Sequence, residues 1–352
     1  MPDMDAMRLS HIVGSEARYR DLKLIVLSNK PYEFDQKRCL QLGANGFIFQ
    51  PINEVDFLPE IERVCLDKIE VCFWGVRGTL PVPGPHALRY GGQTNCITLE
   101  FARGQLFIFD AGTGIKALSD VLEREERERL DCKIFISHPH WDHINAIPFF
   151  APLYLQGNEF EILGANQGDT TVRQLISAQM DGVYFPITLT EFAARVYFRD
   201  LEEEEFIVDD INVKSMLLSH PGKCLGYRVD YNGRAICYIT DNELFLESSE
   251  FHSKHYEDKL VHFCCGADAL ITDSTYTDEE YATKEGWGHS CIGKVIELAD
   301  NAEIKTLYLF HHDPDQSDTD IDGKFEMASE ELAKRKSKTE VKCPQVGQTF
   351  ML

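Results

Sequence analysis

The feature that most restricts the fold is a recurring one: apolar runs that end in histidine or aspartate. In "CKIFISHPHWDH" (132–143), Ile134-Phe135-Ile136 leads into His138, His140, Asp142 and His143. Three more runs end in the same way. "NVKSMLLSHPG" (212–222) delivers His220, "AICYITD" (235–241) delivers Asp241, and "IKTLYLFHHDP" (304–314) delivers His311 and His312. Short continuous apolar runs read as buried strands. Open sheets with helices on their faces carry their sites where the strands end. Ligand-type residues after four separate strands therefore predict an α/β chain with its site along one sheet edge. Imidazole and carboxylate donors suit zinc, manganese or iron. His138, His140 and His220 would hold one ion, and Asp142, His143 and His311 a second. Asp241 would bridge the two. Hydroxide would occupy the position the ions share, because water bound to such ions loses its proton near neutral pH.

The rest of the chain fits around these strands. "LKLIVLS" (22–28) and "GFIFQP" (46–51) read as buried strands. They alternate with helical stretches at 33–44 and 53–65, the latter with Asn53 as a candidate N-cap. This block, 1–66, has the pattern of parallel α/β structure. A second domain, 69–352, opens with strand, Gly/Pro-rich loop and strand in "CFWGVRGTLPVPGPHALRYGGQTNCITLEF" (72–101). A buried strand ending at Asp110 and a helix at 115–130 come next. Residues 150–215 mix helix and strand. "PFFAPLY" (148–154) and "VYFPITL" (183–189) read as core, with a pocket wall as the alternative.

Composition excludes several classes. No apolar run reaches the roughly 20 residues of a membrane span, and the N-terminus lacks a signal pattern. Eleven scattered cysteines without a CxxC pair are no disulfide framework. They predict a reducing, cytoplasmic setting. A net charge of −23 opposes a large nucleic acid partner. The acidic runs Glu123–Glu128 and Glu202–Glu205 read as solvated faces.

The HxHxDH motif, followed by a lone histidine, a lone aspartate and a final histidine, resembles the metallo-β-lactamase fold superfamily over roughly residues 70–352. The resemblance implies an αββα sandwich with two divalent ions at one edge of its sheets, zinc first, with manganese or iron as alternatives. Asp110, in "FDAGTG", matches the superfamily's first motif and reads either as a buttress of the ligand loop or as a turn residue alone. Aligning on proline with related tRNA-processing enzymes favours His311 over His312 as the last ligand. His11, His86, His252, His255 and His262 lie outside the motifs, although the loop of His86 could reach the site. Residues 1–66 resemble the C-terminal half of a receiver domain of the flavodoxin-like fold, with Ser28 at the hydroxyl position and Gln50 where lysine is usual. That resemblance leaves the phospho-accepting aspartate outside this chain and implies no phosphotransfer, whether the segment is a truncation or a relic.

Fold alone does not assign a reaction. Asp241 stands where antibiotic-cleaving members commonly carry cysteine. "ITDSTYTDEEYATKEGWGHSCIGKVIELADNAEIKTLYLFHHDP" (271–314) resembles ribonuclease Z-like phosphodiesterases. On that resemblance Asp273 and His289 are a carboxylate–histidine pair, with His289 a general acid and Asp142 a further catalytic group beside its metal role. His289 as a mere helix cap is the alternative. Ribonuclease Z itself fits poorly, because its long tRNA-clamping arm has no counterpart. The expected substrate is a small, cyclic phosphodiester. Competing readings are a thioesterase or lactonase on the same fold, and a metal-bound signalling module without catalysis. A half receiver would expose apolar edges that the hydrolase domain or a second chain must cover, so a homodimer is one option.

Overall fold

The computed structural model describes residues 5–16, 19, 22–29, 32–52, 57–58, 61, 64, 68–102, 104–125, 129–183 and 185–352. The chain divides into two compact units. The smaller comprises Met1–Glu70 with Leu99–Gln105 and Met351–Leu352, and the larger Val71–Thr98 with Leu106–Phe350.

In the smaller unit, strands Ile25–Ser28 and Gly46–Phe49 pair in parallel, Ile25 opposite Gly46. The helix Glu33–Gln41 connects them. Two parallel strands cannot be joined by a tight turn, so a helical crossover is required. Helix Ala6–Ser15 starts at Asp5, whose Oδ1 accepts from Arg8 N at 2.7 Å. Gly14 and Gly43 let two backbones meet: a Cβ on Gly43 would lie 2.4 Å from Gly14 Cα. Val26, Cys39, Ala44 and Phe47 form a small core. The capping role expected of Asn53 lies outside the described residues. Phe57, Leu58, Ile61 and Val64 are helical, as the periodicity of 53–65 predicts.

Two seven-stranded sheets carry the rest. One has the order Thr349–Met351, Ile69–Gly75, Cys96–Phe101, Leu106–Phe109, Asp131–Ile136, Glu159–Ala165, Arg195–Leu201. Its last four strands run parallel. The other has the order Glu340–Lys342, Thr306–Phe310, Ala269–Asp273, Arg234–Ile239, Leu225–Tyr231, Ile211–Leu217, Glu205–Val208. It is parallel on one side of Arg234–Ile239 and antiparallel on the other.

An aromatic layer fills the space between the sheets. Phe109 and Phe135 from the first meet Tyr238 and Tyr227 from the second at ring separations of 5.5 and 5.3 Å. Phe73 meets Tyr308 at 5.4 Å. The outer faces are covered by helices. Gly114–Arg124 and Val172–Ala178 pack on the first sheet through Ile115, Leu118, Leu122, Val172 and Ile176. Lys254–Cys264, Ile292–Asn301 and Asp318–Arg335 pack on the second through Leu260, Val295, Ile296 and Leu332. The layers run helix, sheet, sheet, helix, as expected of an αββα sandwich.

Three local expectations need correction. The helix predicted to reach residue 130 ends at Arg124, because the acidic and basic residues after it offer no apolar stripe. "VYFPITL" is core only at its end: Val183 is 83% exposed and Phe185 meets the ring of the half-exposed Phe149, whereas Leu189 packs on the core of the first sheet. Phe150 and Leu153 of "PFFAPLY" are fully buried, as predicted. The run 202–205 is partly paired rather than merely solvated, with Glu203 on Lys259 and Glu204 on Arg199. No described helix is long and apolar enough to cross a membrane.

Candidate metal centre

Four strand ends converge. Asp131–Ile136 leads to the loop of His138 and His140 and to the short helix Trp141–Ile144, which carries Asp142 and His143. Ile211–Leu217 leads to His220, Arg234–Ile239 to Asp241, and Thr306–Phe310 to His311. These are the four apolar runs singled out in the sequence. Donor atoms of His138, His140, His220 and Asp241 lie within 4.8 Å of one another, and so do those of Asp142, His143, Asp241 and His311. Asp241 is common to both groups. Its Oδ1 lies 3.0 Å from His143 Nε2 and 2.9 Å from His311 Nε2. Its Oδ2 lies 3.5 Å from His138 Nε2 and 3.8 Å from His220 Nε2.

Surrounding residues fix which nitrogen faces inward. Asp110 Oδ2 accepts from His143 Nδ1 at 2.7 Å, leaving Nε2 to the cluster. The same carboxylate accepts from Ser137 N, Ser137 Oγ and Tyr238 OH. Asp110 is therefore a buttress as well as a turn residue with φ of +57°. His220 Nδ1 donates to Gly288 O at 3.0 Å, again leaving Nε2 inward. Thr275 Oγ1 donates to His311 O at 2.8 Å and lies 3.1 Å from its Nδ1. Asp142 Oδ2 accepts from Thr79 N at 2.8 Å and Asn95 Nδ2 at 3.1 Å. Gly78 is required by proximity: a Cβ there would lie 2.1 Å from His311 Cε1.

The two groups differ electrically. Burial holds the imidazoles of His138, His140 and His220 below their ordinary range, and neighbouring histidines push His138 and His140 the same way. Burial also opposes charge on His143 and His311, but carboxylates outweigh it. Asp142, Asp241 and Asp110 hold His143 well above its ordinary range, and Asp241 and Asp142 push His311 up to about 10. Burial would raise the carboxyls of Asp142 and Asp241, yet histidines keep both well below it. Buried carboxylates that stabilise a proton on an imidazole nitrogen would stabilise a divalent cation there too. The donor set fits such ions in a second way. His138 Nε2 is buried without a hydrogen-bond partner, and His140 Nδ1 faces His220 Nε2 at 3.2 Å. A cation between such nitrogens would satisfy all three.

His312 turns away. It is fully buried, its Nδ1 lies 2.9 Å from Lys324 Nζ, and Lys324 also donates to Ser274 O. Burial and then the Lys324 charge push this imidazole well below its ordinary range. His11, His86, His255 and His262 are exposed, and His252 pairs with Glu257 at 3.2 Å; none joins the clustered donors.

Asp273 and His289 stand beside the cluster. Asp273 Oδ2 is 2.8 Å from His289 Nδ1, and the His289 ring stacks 4.9 Å from that of His311. Burial alone would lower His289, but Asp273 outweighs it and raises the imidazole above its ordinary range. Sequence reasoning missed Asn95, Thr275 and Glu243, which hold the ligand-type residues or their loops. Each acts through hydrogen bonds with distant segments, so no local spacing announces it.

The family described as "Beta-lactamase superfamily domain" matches residues 106–312, more than half of the chain. Ribonuclease Z of Lactococcus lactis subsp. lactis (strain IL1403) is 24% identical over 261 residues, covering 62% of this chain and 83% of that protein. Unliganded yeast PDE1 superposes with a TM-score of 0.61 at 14% identity, over 81% of this chain and all of that one. A diphosphatase from the PhnP family gives 0.54 at 16% identity, over 81% of this chain and 97% of that one. These two likenesses are likenesses of fold.

Proposed function

The chain belongs to the beta-lactamase superfamily domain family, whose hydrolases are metal-dependent enzymes, and from that premise we propose that it is a phosphodiesterase. In this reading it takes two divalent ions, zinc first, and cleaves a small phosphodiester such as a cyclic nucleotide or a cyclic phosphate sugar. The observation that carries the reading is the Asp273–His289 pair, stacked against His311. Phosphodiester cleavage needs charge on the phosphoryl oxygens and a proton for the leaving oxygen. Asp273 engages His289 Nδ1, so the Nε2 proton is the one available to a leaving oxygen.

His138, His140 and His220 would hold one ion, Asp142, His143 and His311 the other, and Asp241 both. Bound there, the ions supply a water that ionises near neutral pH and positive charge for the phosphoryl group. The protein's own part is placement. Asp110 orients His143, Gly288 O orients His220, and Thr275 holds His311 O through its hydroxyl and Asp273 Oδ1 through its backbone N–H. Asp142, held by Thr79 N and Asn95, acts here as an oriented ligand. A small substrate is favoured over RNA by the net charge of −23, which repels a polyanion. The name of the curated relative points the other way, so RNA belongs in the test. Residues 1–66 would be a receiver-like partner segment without phosphotransfer, and acetyl phosphate should leave turnover unchanged.

The deciding experiment offers the zinc-loaded full chain bis(p-nitrophenyl) phosphate, cyclic mono- and dinucleotides, a precursor tRNA, a thioester and a lactone. Turnover of a cyclic nucleotide, with His289→Ala about 100-fold or more slower, is expected. Turnover of the thioester or lactone alone would overturn the reading.

A further inference from the structure

The loop "GWGHS" has to be held by something. Gly286 and Gly288 sit at φ of +83° and +88°, and glycine in such a loop loses more freedom on ordering than any other residue. Space demands glycine at one of these positions, since a Cβ on Gly288 would lie 2.4 Å from His220 Nδ1. The loop nevertheless performs two tasks. Gly288 O accepts from His220 Nδ1, and the next residue is His289, paired with Asp273.

Beneath this loop lies Glu243, only 2% exposed. Its Oε1 accepts from Gly286 N at 2.6 Å and from Tyr281 OH at 2.8 Å, and its Oε2 accepts from Gly288 N at 2.7 Å. All three donors are neutral. A buried carboxylate that meets only neutral donors is costly to place, and this one is spent on both glycine amides of the loop. Its own N–H donates to Ser219 O at 2.8 Å, next to His220. The flanking residues reach the same pair: Leu244 N donates to Ser290 Oγ, next to His289, at 3.1 Å, and Asn242 N to Asp273 Oδ2, the partner of His289, at 3.1 Å.

We propose that Glu243 is a positioning residue that sets the 286–289 loop, so that one buried carboxylate holds both the ring orientation of His220 and the placement of His289. The inference rests on the reading of His220 as a ligand and His289 as the acid. Glutamate is required because three donors on two sides need two oxygens that only accept. A glutamine of the same shape turns an N–H₂ group toward Gly288 N or toward Gly286 N and Tyr281 OH, and one side of the clamp fails.

Glu243→Gln in the full chain is the test, read first by zinc affinity in competition with a chromophoric chelator. Outer residues that orient ligands change affinity by about 10- to 100-fold, and a loss of that size at one of the two sites is expected. The second readout is kcat on two phosphodiesters, one with a p-nitrophenolate leaving group and one with an alkoxide. Misplacing the acid should slow the alkoxide substrate at least tenfold more than the nitrophenyl one, because only the poor leaving group needs the proton. His289→Ala is run alongside. If it shows no such leaving-group dependence, the acid reading fails, while the zinc affinity of Glu243→Gln still decides the hold on His220. Wild-type zinc affinity together with wild-type kcat on both substrates would overturn the proposal. Hydrogen exchange of the wild-type chain covers the case of a misfolded variant: slow exchange at the Gly286 and Gly288 amides is expected, and exchange at the rate of free peptide would equally overturn it.

Discussion

His143 Nδ1 lies 2.7 Å from Asp110 Oδ2, and this contact decides which ring nitrogen faces the cluster of donors that could hold a metal. Both residues are fully buried. Asp110→Asn keeps the shape and tolerates the positive φ, but it turns an N–H₂ group toward donors or leaves His143 free to change tautomer. The expected cost is about 3 kcal/mol, from the loss of buried hydrogen bonds to a charged acceptor, with zinc lost from the His143 site. Urea unfolding and metal content check both parts. A variant with wild-type stability and two zinc ions per chain would remove the buttress role.

Asp241 and His289 should separate metal holding from catalysis. Asp241 faces donors of both four-residue groups, whereas His289 belongs only to a smaller set with Asp273 and His311, where its Nδ1 is already engaged by Asp273. Asp241→Ala is expected to lose most metal and all turnover. His289→Ala is expected to keep its metal and lose about 100- to 10,000-fold in kcat. Equal metal loss in the two variants would refute this division.

The clustered donors were legible in the sequence because each follows an apolar strand: His311 comes directly after one, His138, His220 and Asp241 within three positions, and His140, Asp142 and His143 on the loop and short helix that continue from the strand of His138. The choice of His311 over His312 came from the resemblance, by alignment on proline, and not from local pattern. In the structure it depends on Lys324, on the helix that follows, drawing His312 inward. Glu243 was invisible, since its partners lie about forty residues downstream. The αββα layering followed from the resemblance rather than from periodicity. The exposure of Val183 shows the limit of composition: aromatic, β-branched and proline residues in one stretch suggest a core, but burial depends on what packs against them.

Metal removal should make stability depend on pH in a definite way. In the zinc-free chain His311 is pushed up to about 10, since Asp241 outweighs burial, and His143 is raised for the same reason. A raised folded pKa contributes stability that is complete below the unfolded value of about 6.5 and is lost as pH rises through the folded one. His138, His140 and His220 are lowered, chiefly by burial. They contribute the opposite slope, stability falling as pH drops below about 6.5. The zinc-free protein should therefore be most stable near pH 6.5, with Tm decreasing toward both pH 5 and pH 10 by rough estimate. The zinc-loaded protein should lack the alkaline decline, because metal replaces the proton at the inward nitrogens. Parallel melting curves across this range test it, and an alkaline decline of equal size in both forms would count against metal binding at these histidines.

The pH dependence of turnover should report the Asp273–His289 pair. His289 must be protonated to deliver a proton, so its folded pKa sets the alkaline limb of kcat. Burial opposes that charge, but Asp273, 2.8 Å away, outweighs it and raises the pKa above its ordinary 6.5. Asp273 is itself held low by His289 against the effect of burial, so it keeps its negative charge across the working range. Asp273→Asn removes that charge while preserving a hydrogen-bonding side chain. Burial then prevails, and the alkaline limb should move to lower pH, below about 6.5. The acid limb, set by the metal centre, should stay nearly fixed, so the active range narrows from its alkaline side. At neutral pH the variant then retains only the fraction of kcat that its remaining imidazolium supports. Raising the temperature or substrate concentration would not restore it, whereas lowering the pH would. An alkaline limb that stays where it was would mean that His289 does not titrate as the acid, and that the pair serves only to anchor the helix that follows it.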